Sequence, residues 1–511
     1  MAKKLTRRQF LKRTAAAAAS AAVAPHLRLV PGTNVAWAAG PSDAIVVVVQ
    51  LFGGNDGINT VYPLTNLGGS DNQRDRYEEY RPTLALPSTN AGLGPWQAAG
   101  FPVTSVLDLG SNPNGTHYAL NPGMDALHSL YLQGKAAVCS GVHYPYPNHS
   151  HFRSESIWYA LDPIGTGGLG WIGKYMNYAG FAPTQVPAVN MGESINPAFS
   201  PTDASVFAFR RLSDLEFPAA GETTLKQDKF RALYDLADNG NPTVFPELVK
   251  IGQTGIATID TMQQYYIPGG GLANAGKVEK LLVDANGDYG RRNSLVYDSP
   301  LNPDVNPMIP DSPLVRDMRH VAATIRANVG ARFFHVGTGG FDSHSSQENG
   351  FYHSRLLQDV SESIAALYND LAQAVTLPGG YSGYLTGSLA SRLLIVTVSE
   401  FGRTIRQNSY SAGSAGTDHA ASAPQFVVGG SVIGGQYGAY PHLDDPGAEN
   451  DDDLKMSIDI RDLYGTILNR WLNVPLAVLG PGPGKILEAT TTPDADGKAY
   501  TAFTPLGFLA P

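Results

Sequence analysis

Five short apolar runs are the feature that most constrains the fold of this chain. The first, over residues 44–52, is rich in valine and does not alternate between apolar and polar positions. A run of this kind is typical of a strand buried on both faces, as strands are in a parallel sheet. Four later runs resemble it, and they cover residues 135–139, 331–336, 393–398 and 425–428.

Helical patterns lie between the later runs. Ser312 and Pro313 predict the start of a helix that reaches about residue 328, since serine caps helices and proline fits the first turn. Apolar residues at helical spacing predict two more helices, over 351–371 and 460–471. Strands that alternate with helices predict an α/β fold with a doubly wound, mainly parallel sheet. Residues 200–310 combine helical patterns with a stretch rich in Gly, Asn and Pro, which indicates a helical and loop insertion.

The first 39 residues have the pattern of an export leader. Arg7 and Arg8 precede a short alanine-rich stretch, and an Ala-x-Ala cleavage pattern follows at residues 36–38. The arginine pair resembles a twin-arginine signal, so we expect the twin-arginine translocase as a partner and a periplasmic or secreted location. The alanine-rich stretch is too short for a stable membrane span. The folded domain is then expected over residues 40–511.

Charge and cysteine content exclude several classes of protein. The formal net charge is -9 and no basic stripe is present, so nucleic acid is not an expected partner. Cys139 is the single cysteine, so neither an internal disulfide nor a cysteine-based metal cluster can form.

Acidic, histidine and serine residues follow several of the apolar runs. Ligands of open parallel sheets bind beyond the carboxyl ends of the strands. We therefore expect one edge of the sheet to gather the residues that follow strands: Asp56, Ser150, Asp342, His344 and Glu400. Asp418 and His419 precede a strand, so their loop has to reach the same edge. Carboxylates and imidazoles packed together repel or desolvate one another unless a cation lies among them, which predicts a divalent metal ion.

Five motifs together resemble one family. They cover residues 52–60, 148–152, 341–344, 399–404 and 416–419. In this combination the chain, from about Ile45 to about Leu479, is identified as a member of the domain-of-unknown-function 1501 family. This family is sulfatase-like, occurs in exported bacterial proteins and is distantly similar to the alkaline phosphatase and sulfatase superfamily.

The resemblance implies an alkaline-phosphatase-like fold and a hydrolase of phosphate or sulfate esters. It implies a divalent ion (Zn, Mn, Ca or Mg) whose ligands are Asp56, Asp342, His344, Glu400, Asp418 and His419. Ser150 corresponds to the nucleophile, and Arg403 or Arg153 is expected to hold the ester anion, since a guanidinium matches such oxyanions. His151 and Asn408 complete the expected substrate contacts. The substrate is expected to be a small molecule or a polysaccharide ester.

Two departures from the superfamily pattern are visible. Phe401 stands where a histidine ligand is expected, which puts a second metal site in doubt. Cys139 lies outside the Cys-x-Pro-x-Arg motif, so formylglycine chemistry is not available.

Simpler interpretations of the same residues stay open. Asp56 and Ser150 could each cap a helix. Glu400 could form an ion pair with Arg403, and Asp418 could orient His419 without binding metal. A non-catalytic protein that binds a ligand or helps to assemble a surface structure is the alternative function. A redox enzyme is disfavoured, because no glycine-rich dinucleotide fingerprint opens a helix and no cysteine cluster exists.

Overall fold

A computed structural model describes most of the chain between residues 43 and 510, all within the unit Gly40–Pro511. The described residues are 43–66, 72–112, 115–164, 169–182, 185–200, 202, 204–209, 312–374, 385–411, 413–444, 452–482, 484–489 and 499–510. The expected leader over residues 1–39 lies outside them. So does the expected insertion over residues 200–310, apart from a few residues before 210.

The described strands and helices alternate along much of the chain. The strands are β1 (Ile45–Leu51), β2 (Val61–Pro63), β3 (Leu107–Ser111), β4 (His117–Leu120), β5 (Ala136–His143), β6 (Ala188–Met191), β7 (Val206–Phe209), β8 (Phe333–Thr338), β9 (Leu393–Val398), β10 (Gly402–Arg403), β11 (His419–Ala420), β12 (Ala423–Gly429), β13 (Gly435–Tyr437) and β14 (Ile458–Asp459). The helices are α1 (Gly57–Thr60), α2 (Gln73–Tyr80), α3 (Gly94–Ala98), α4 (Asp125–Leu132), α5 (His151–Ala160), α6 (Trp171–Ala179), α7 (Pro313–Arg326), α8 (Tyr352–Ala372), α9 (Ile460–Thr466) and α10 (Leu476–Leu479).

Nine of the described strands form the central sheet, in the order β13-β5-β12-β9-β1-β8-β6-β7 with β14 beside β5. Strand β1 lies between β8 and β9 and is parallel to both. Among the described strands of this sheet, only β12 is reversed, since it pairs antiparallel with both β9 and β5. The prediction of a mainly parallel α/β sheet is therefore confirmed.

Alternate residues of β1 face two different apolar layers. Ile45 and Val47 pack into a core that includes residues of α4, α7 and α8. Val46 and Val48 pack into a second core that includes residues of α5, α6 and α9. Both faces of the central strand are thus buried, which explains its continuous apolar sequence.

All five predicted strands and all three predicted helices occur near their expected positions. The run over residues 393–398 matches β9, and the run over 135–139 is the first half of the longer β5. The helix predicted over 460–471 is α9 followed by a π-helical turn, Ile467–Trp471. The sequence patterns did not indicate the short strands β6 and β7 at one end of the central sheet or the separate three-stranded sheet β2-β4-β3.

A helix that spans a membrane has to be both long and apolar. Within the described part of the chain, none is both long enough and apolar enough to cross a bilayer.

Two buried histidines in the central sheet are held neutral. His143 ends β5 and His335 lies in β8, and neither side chain is appreciably exposed. Burial lowers the pKa of each imidazole from 6.5 to about 3. Neither ring nitrogen of His143 has a hydrogen-bond partner among the described residues.

We expect the free energy of unfolding to decrease as the pH falls, and the protonation of His143 to account for part of this decrease. The unfolded chain binds the proton first, because the folded-state pKa of His143 lies below the ordinary value. The stabilisation from neutral His143 is therefore complete above pH 6.5 and is lost as the pH falls towards 3. Each such group contributes about 1.4 kcal/mol per pH unit in this window. Urea unfolding of His143→Phe across the window should show a slope smaller by that amount.

His128→Phe is the matched control, because His128 lies in α4 outside the central sheet. Its slope should equal that of the unchanged protein. An unaltered slope in His143→Phe would contradict the account of His143.

Candidate metal site

Three imidazoles present the same ring nitrogen to one carboxylate. The Nε2 atoms of His419 and His344 lie 3.0 Å and 3.1 Å from Oδ1 of Asp342. The Nε2 atom of His151 lies 3.7 Å from Oδ2 of the same residue. Ligand atoms of His151, Asp342 and His419 all fall within 4.8 Å of one another, a spacing that could hold a metal ion.

The opposite nitrogen of each ring, Nδ1, faces an acceptor. His151 Nδ1 lies 2.8 Å from Oε1 of Glu400, and His344 Nδ1 lies 2.7 Å from Oδ1 of Asp418. His419 Nδ1 lies 2.9 Å from the main-chain oxygen of His149. Carboxylate and carbonyl oxygens cannot donate, so each Nδ1 can donate to its partner, and a neutral ring that does so keeps a lone pair on Nε2. Without a metal ion, Nε2 of His419 can instead donate to Asp342.

With Nδ1 as the donor in each ring, this arrangement of lone pairs favours a cation. Nε2 of His344 and Nε2 of His419 lie 3.0 Å apart, and both also face the carboxylate of Asp342. Lone pairs and a negative charge at such distances repel one another unless a positive charge lies among them. Histidines that bind metals through one nitrogen usually donate the other N–H to a carboxylate or carbonyl, as all three do here.

The reversed strand explains how His419 reaches this edge of the sheet. Asp342 and His344 follow the carboxyl end of the parallel strand β8, and His151 is the first residue of α5, which follows β5. Since β12 runs the opposite way, the residues before it lie at the carboxyl edge of its neighbours. The short ladder between β10 and β11 then places His419 opposite Arg403.

The charges of the cluster favour metal binding. Burial opposes ionisation of Asp342, but hydrogen bonds from His419 and Arg403 and the charge of Arg403 lower its pKa to about 2. Burial lowers the pKa of His419, against the hydrogen bond to Asp342, so its imidazole is neutral. Burial would raise the pKa of Asp418, yet hydrogen bonds from His344 and Asn408 lower it. An ionised carboxylate and neutral imidazoles are the forms that bind metals.

Arg403 is buried next to Asp342. Its guanidinium is fully buried and donates 2.6 Å to Oδ1 of Asp342. Its other hydrogen bonds go to main-chain oxygens of three loops: those of Gly53, Gly54, Phe341 and Thr417. Its donors are directed at these oxygens, so Arg403 fixes the loops and Asp342, and its contact with an ester anion stays a prediction.

Asp56 is a helix cap and one half of a buried ion pair. Its Oδ1 accepts from the amides of Ile58 and Asn59 at the start of α1. Its Oδ2 accepts from Arg81 at 2.6 Å and from Gln347. Burial would raise the pKa of Asp56, but the charge and hydrogen bond of Arg81 lower it. Both oxygens accept hydrogen bonds, so Asp56 caps the helix as the simpler interpretation has it, and its metal role stays a prediction.

Glu400 pairs with the Nδ1 atom of His151. Its Oε1 accepts from His151 Nδ1 and from the amide of Gly53 at 2.7 Å, and its side chain is almost fully buried. In this position Glu400 orients the imidazole of His151, and its role as a direct metal ligand stays a prediction. An ion pair with Arg403, the simpler interpretation, does not occur, because Arg403 pairs with Asp342.

Phe401 fills the space beside the imidazoles. Its ring centroid lies 4.8 Å from that of His151 and 4.6 Å from that of His419. Its ring also packs against Gly54, where a Cβ atom would collide with it and where φ is +78°. The ring of Phe401 therefore requires a residue without a Cβ atom at position 54. The close packing of this ring against Gly54 is a reason for a phenyl group at position 401.

Three other predicted residues lie around the cluster. Ser150 is the N-cap residue of α5, is exposed and makes no capping hydrogen bond through its side chain. Asn408 donates to Asp418 at 3.1 Å and to the main-chain oxygen of His344 at 2.8 Å, so it supports a loop. Arg153 donates to the main-chain oxygen of Pro163 at 3.1 Å. His151, expected to contact substrate, is instead one of the three converging imidazoles.

One protein-family model matches a segment of the chain. Residues 316–491 match the model of a family described as "Protein of unknown function (DUF1501)". The expected family is confirmed for this segment, which contains Asp342, His344, Glu400, Asp418 and His419 but not His151. No curated protein matches the chain.

We expect Asp56→Asn to destabilise the protein without releasing metal. The change leaves the charge of Arg81 buried and uncompensated, which costs about 3–5 kcal/mol in buried pairs. Urea unfolding measures this loss, and elemental analysis of the folded protein measures the bound metal. Asp75→Asn, at an exposed position of α2, should change the unfolding free energy by less than about 0.5 kcal/mol. If Asp56→Asn lost its metal and kept its normal unfolding free energy, Asp56 would be a metal ligand.

Proposed function

We propose that this DUF1501-family chain is a metal-dependent hydrolase of phosphate or sulfate esters. The observation that carries the proposal is the convergence of three Nε2 atoms on Asp342 while each Nδ1 atom is held by an acceptor. The distant similarity of the sequence motifs to the alkaline phosphatase and sulfatase superfamily supports the same class of reaction.

The donor set favours one kind of metal. Imidazole nitrogens suit Zn²⁺ and related first-row ions, whereas Ca²⁺ and Mg²⁺ prefer oxygen ligands. His151, Asp342 and His419 would hold the ion, with Nε2 of His344 beside them. We therefore propose Zn²⁺ ahead of Mn²⁺, Mg²⁺ or Ca²⁺.

A divalent ion in this position supplies a Lewis acid and lowers the pKa of a hydroxyl or water next to it. Ser150 is the candidate nucleophile, because it lies between His149, whose carbonyl holds His419, and His151. Its side chain makes no capping hydrogen bond and is exposed to an incoming ester. The amides of the first turn of α5 have no intrahelical acceptor, so they favour the anionic group of the ester.

Replacing the shared carboxylate should abolish both metal binding and hydrolysis. Asp342→Ala removes the group on which the imidazoles converge, so the bound metal should fall from about one equivalent to near zero. Elemental analysis and turnover of aryl phosphate and aryl sulfate esters measure the two effects. His128→Ala, outside the cluster, should retain both. Full turnover by metal-free Asp342→Ala would refute the proposal.

The Ser150→Ala variant tests whether Ser150 is the nucleophile or only part of the surrounding structure. The variant should keep its metal, because Ser150 supplies no converging atom, and should lose at least about 100-fold in kcat. Unchanged kcat would remove Ser150 from the reaction and leave water as the attacking group.

A binding protein without catalysis is the second candidate. Phe401 favours it, because this buried ring stands where the superfamily resemblance places a further histidine ligand. Metal binding without turnover of any ester tested would support this candidate against the hydrolase.

A further inference from the structure

The segment between β5 and α5 brings three groups to the candidate metal site. The main-chain oxygen of His149 lies 2.9 Å from Nδ1 of His419. The next residue is Ser150, the candidate nucleophile, and the one after it is His151, one of the converging imidazoles. Because these residues are consecutive, any movement of the segment displaces all of them together. The contacts that hold the segment therefore set the geometry of one side of the site.

This segment does not hold its shape by regular secondary structure. Residues 144–150 belong to no helix or strand, and residues 148–150 are exposed. Tyr146 has a φ of +61°, in the left-handed region that residues with a side chain adopt only at a cost in free energy. A turn of this kind keeps one conformation where contacts from its surroundings fix it.

Two hydroxyl groups fix the turn through a closed circuit of hydrogen bonds. The amide of Asn148 donates to the hydroxyl oxygen of Tyr144 at 3.3 Å. This oxygen lies 2.7 Å from Oγ of Ser154, and Ser154 donates to the main-chain oxygen of Asn148. The Tyr144 hydroxyl also lies 3.2 Å from that main-chain oxygen, but its single proton has the shorter path to Ser154. Each hydroxyl then donates once and accepts once, and the circuit begins and ends at Asn148.

The two hydroxyls connect the turn to rigid parts of the fold. Tyr144 directly follows β5, and Ser154 lies in the first turn of α5, where its amide donates to the main-chain oxygen of Ser150. Both side chains are fully buried. Burial raises the pKa of Tyr144 to about 12, so its hydroxyl keeps the proton that it donates. Linked hydrogen bonds in a dry interior strengthen one another, so loss of either hydroxyl weakens the whole circuit.

Other contacts of the turn lie nearer to the surface. Nε2 of His149 lies 3.3 Å from Oδ2 of Asp453, and Oδ1 of Asn148 accepts from the amide of Ser150 at 2.9 Å. Water competes with hydrogen bonds at such positions more than with buried ones. The circuit is therefore the stronger part of the anchorage.

We propose that the hydroxyls of Tyr144 and Ser154 are positioning groups for the candidate metal site. They hold the turn so that the carbonyl of His149 faces Nδ1 of His419 and the imidazole of His151 faces the shared carboxylate. Both hydroxyls act through these residues. The inference rests on the proposed metal-dependent function, and it identifies the buried groups that set the geometry of that site.

Zinc binding by single and double variants tests the circuit. Tyr144→Phe and Ser154→Ala each remove one hydroxyl and little else. The dissociation constant of Zn²⁺ should rise at least about 10-fold in each, since groups that orient metal ligands have effects of this size. Both changes break the same circuit, so the double variant should bind no more weakly than the weaker single variant.

Tyr62→Phe is the matched control, because it removes another hydroxyl of a buried tyrosine, one that donates 2.9 Å to the main-chain oxygen of Pro87. Its zinc affinity should equal that of the unchanged protein. The proposal is overturned by affinities of Tyr144→Phe and Ser154→Ala that match this control, or by losses that add in the double variant. Ser154→Ala gives an answer should Tyr144→Phe fail to fold.

The ring-nitrogen NMR signals of the metal-free protein provide a readout that does not depend on metal or ester. In both variants the signals of His151 and His419 should shift, whereas those of His335, buried in β8, should not. Unshifted signals of His151 and His419 would overturn the proposal, and so would equal shifts of His335, which would indicate a general change of structure. Absence of ester turnover by the unchanged protein would refute the hydrolase and leave this measurement valid.

Discussion

The candidate site depends on the hydrogen bonds of one buried group, the guanidinium of Arg403. Main-chain oxygens just after β1 and β8, and just before β11, are not bonded within the sheet. They need other hydrogen-bond donors. Arg403 donates to all three regions and also to Asp342. One planar group with five N–H donors thus fixes both the loops and the carboxylate on which the imidazoles converge.

The reversed strand β12 is the second requirement. In a wholly parallel sheet, residues before a strand lie at the amino edge, far from residues that follow their strands. Reversal of β12 brings the segment of Asp418 and His419 to the carboxyl edge beside the loop after β8. One strand direction therefore decides whether His419 can share Asp342 with His344 and His151.

Local sequence patterns predicted what depends on neighbouring residues along the chain. The apolar runs gave β1 and β9 nearly to the residue, and the residues after them marked the edge where Asp342 and His344 meet His419. The other features of the site depend on contacts between residues that lie far apart in the sequence. The partner of Asp56 is Arg81, and nothing in the sequence indicates that the Arg81 side chain turns inward to form this ion pair. The same holds for Glu400, which reaches His151 across 249 positions of sequence.

The three imidazoles come from residues 151, 344 and 419, on segments that meet only when the central sheet is complete. Each ring is oriented by a group from a different segment: Glu400 for His151, Asp418 for His344 and the carbonyl of His149 for His419. No fragment that lacks residues 149–151 holds all three oriented imidazoles, because His151 and the carbonyl that orients His419 both come from that segment. A metal ion held by all three rings would therefore bind to the finished fold and not to a partly folded chain.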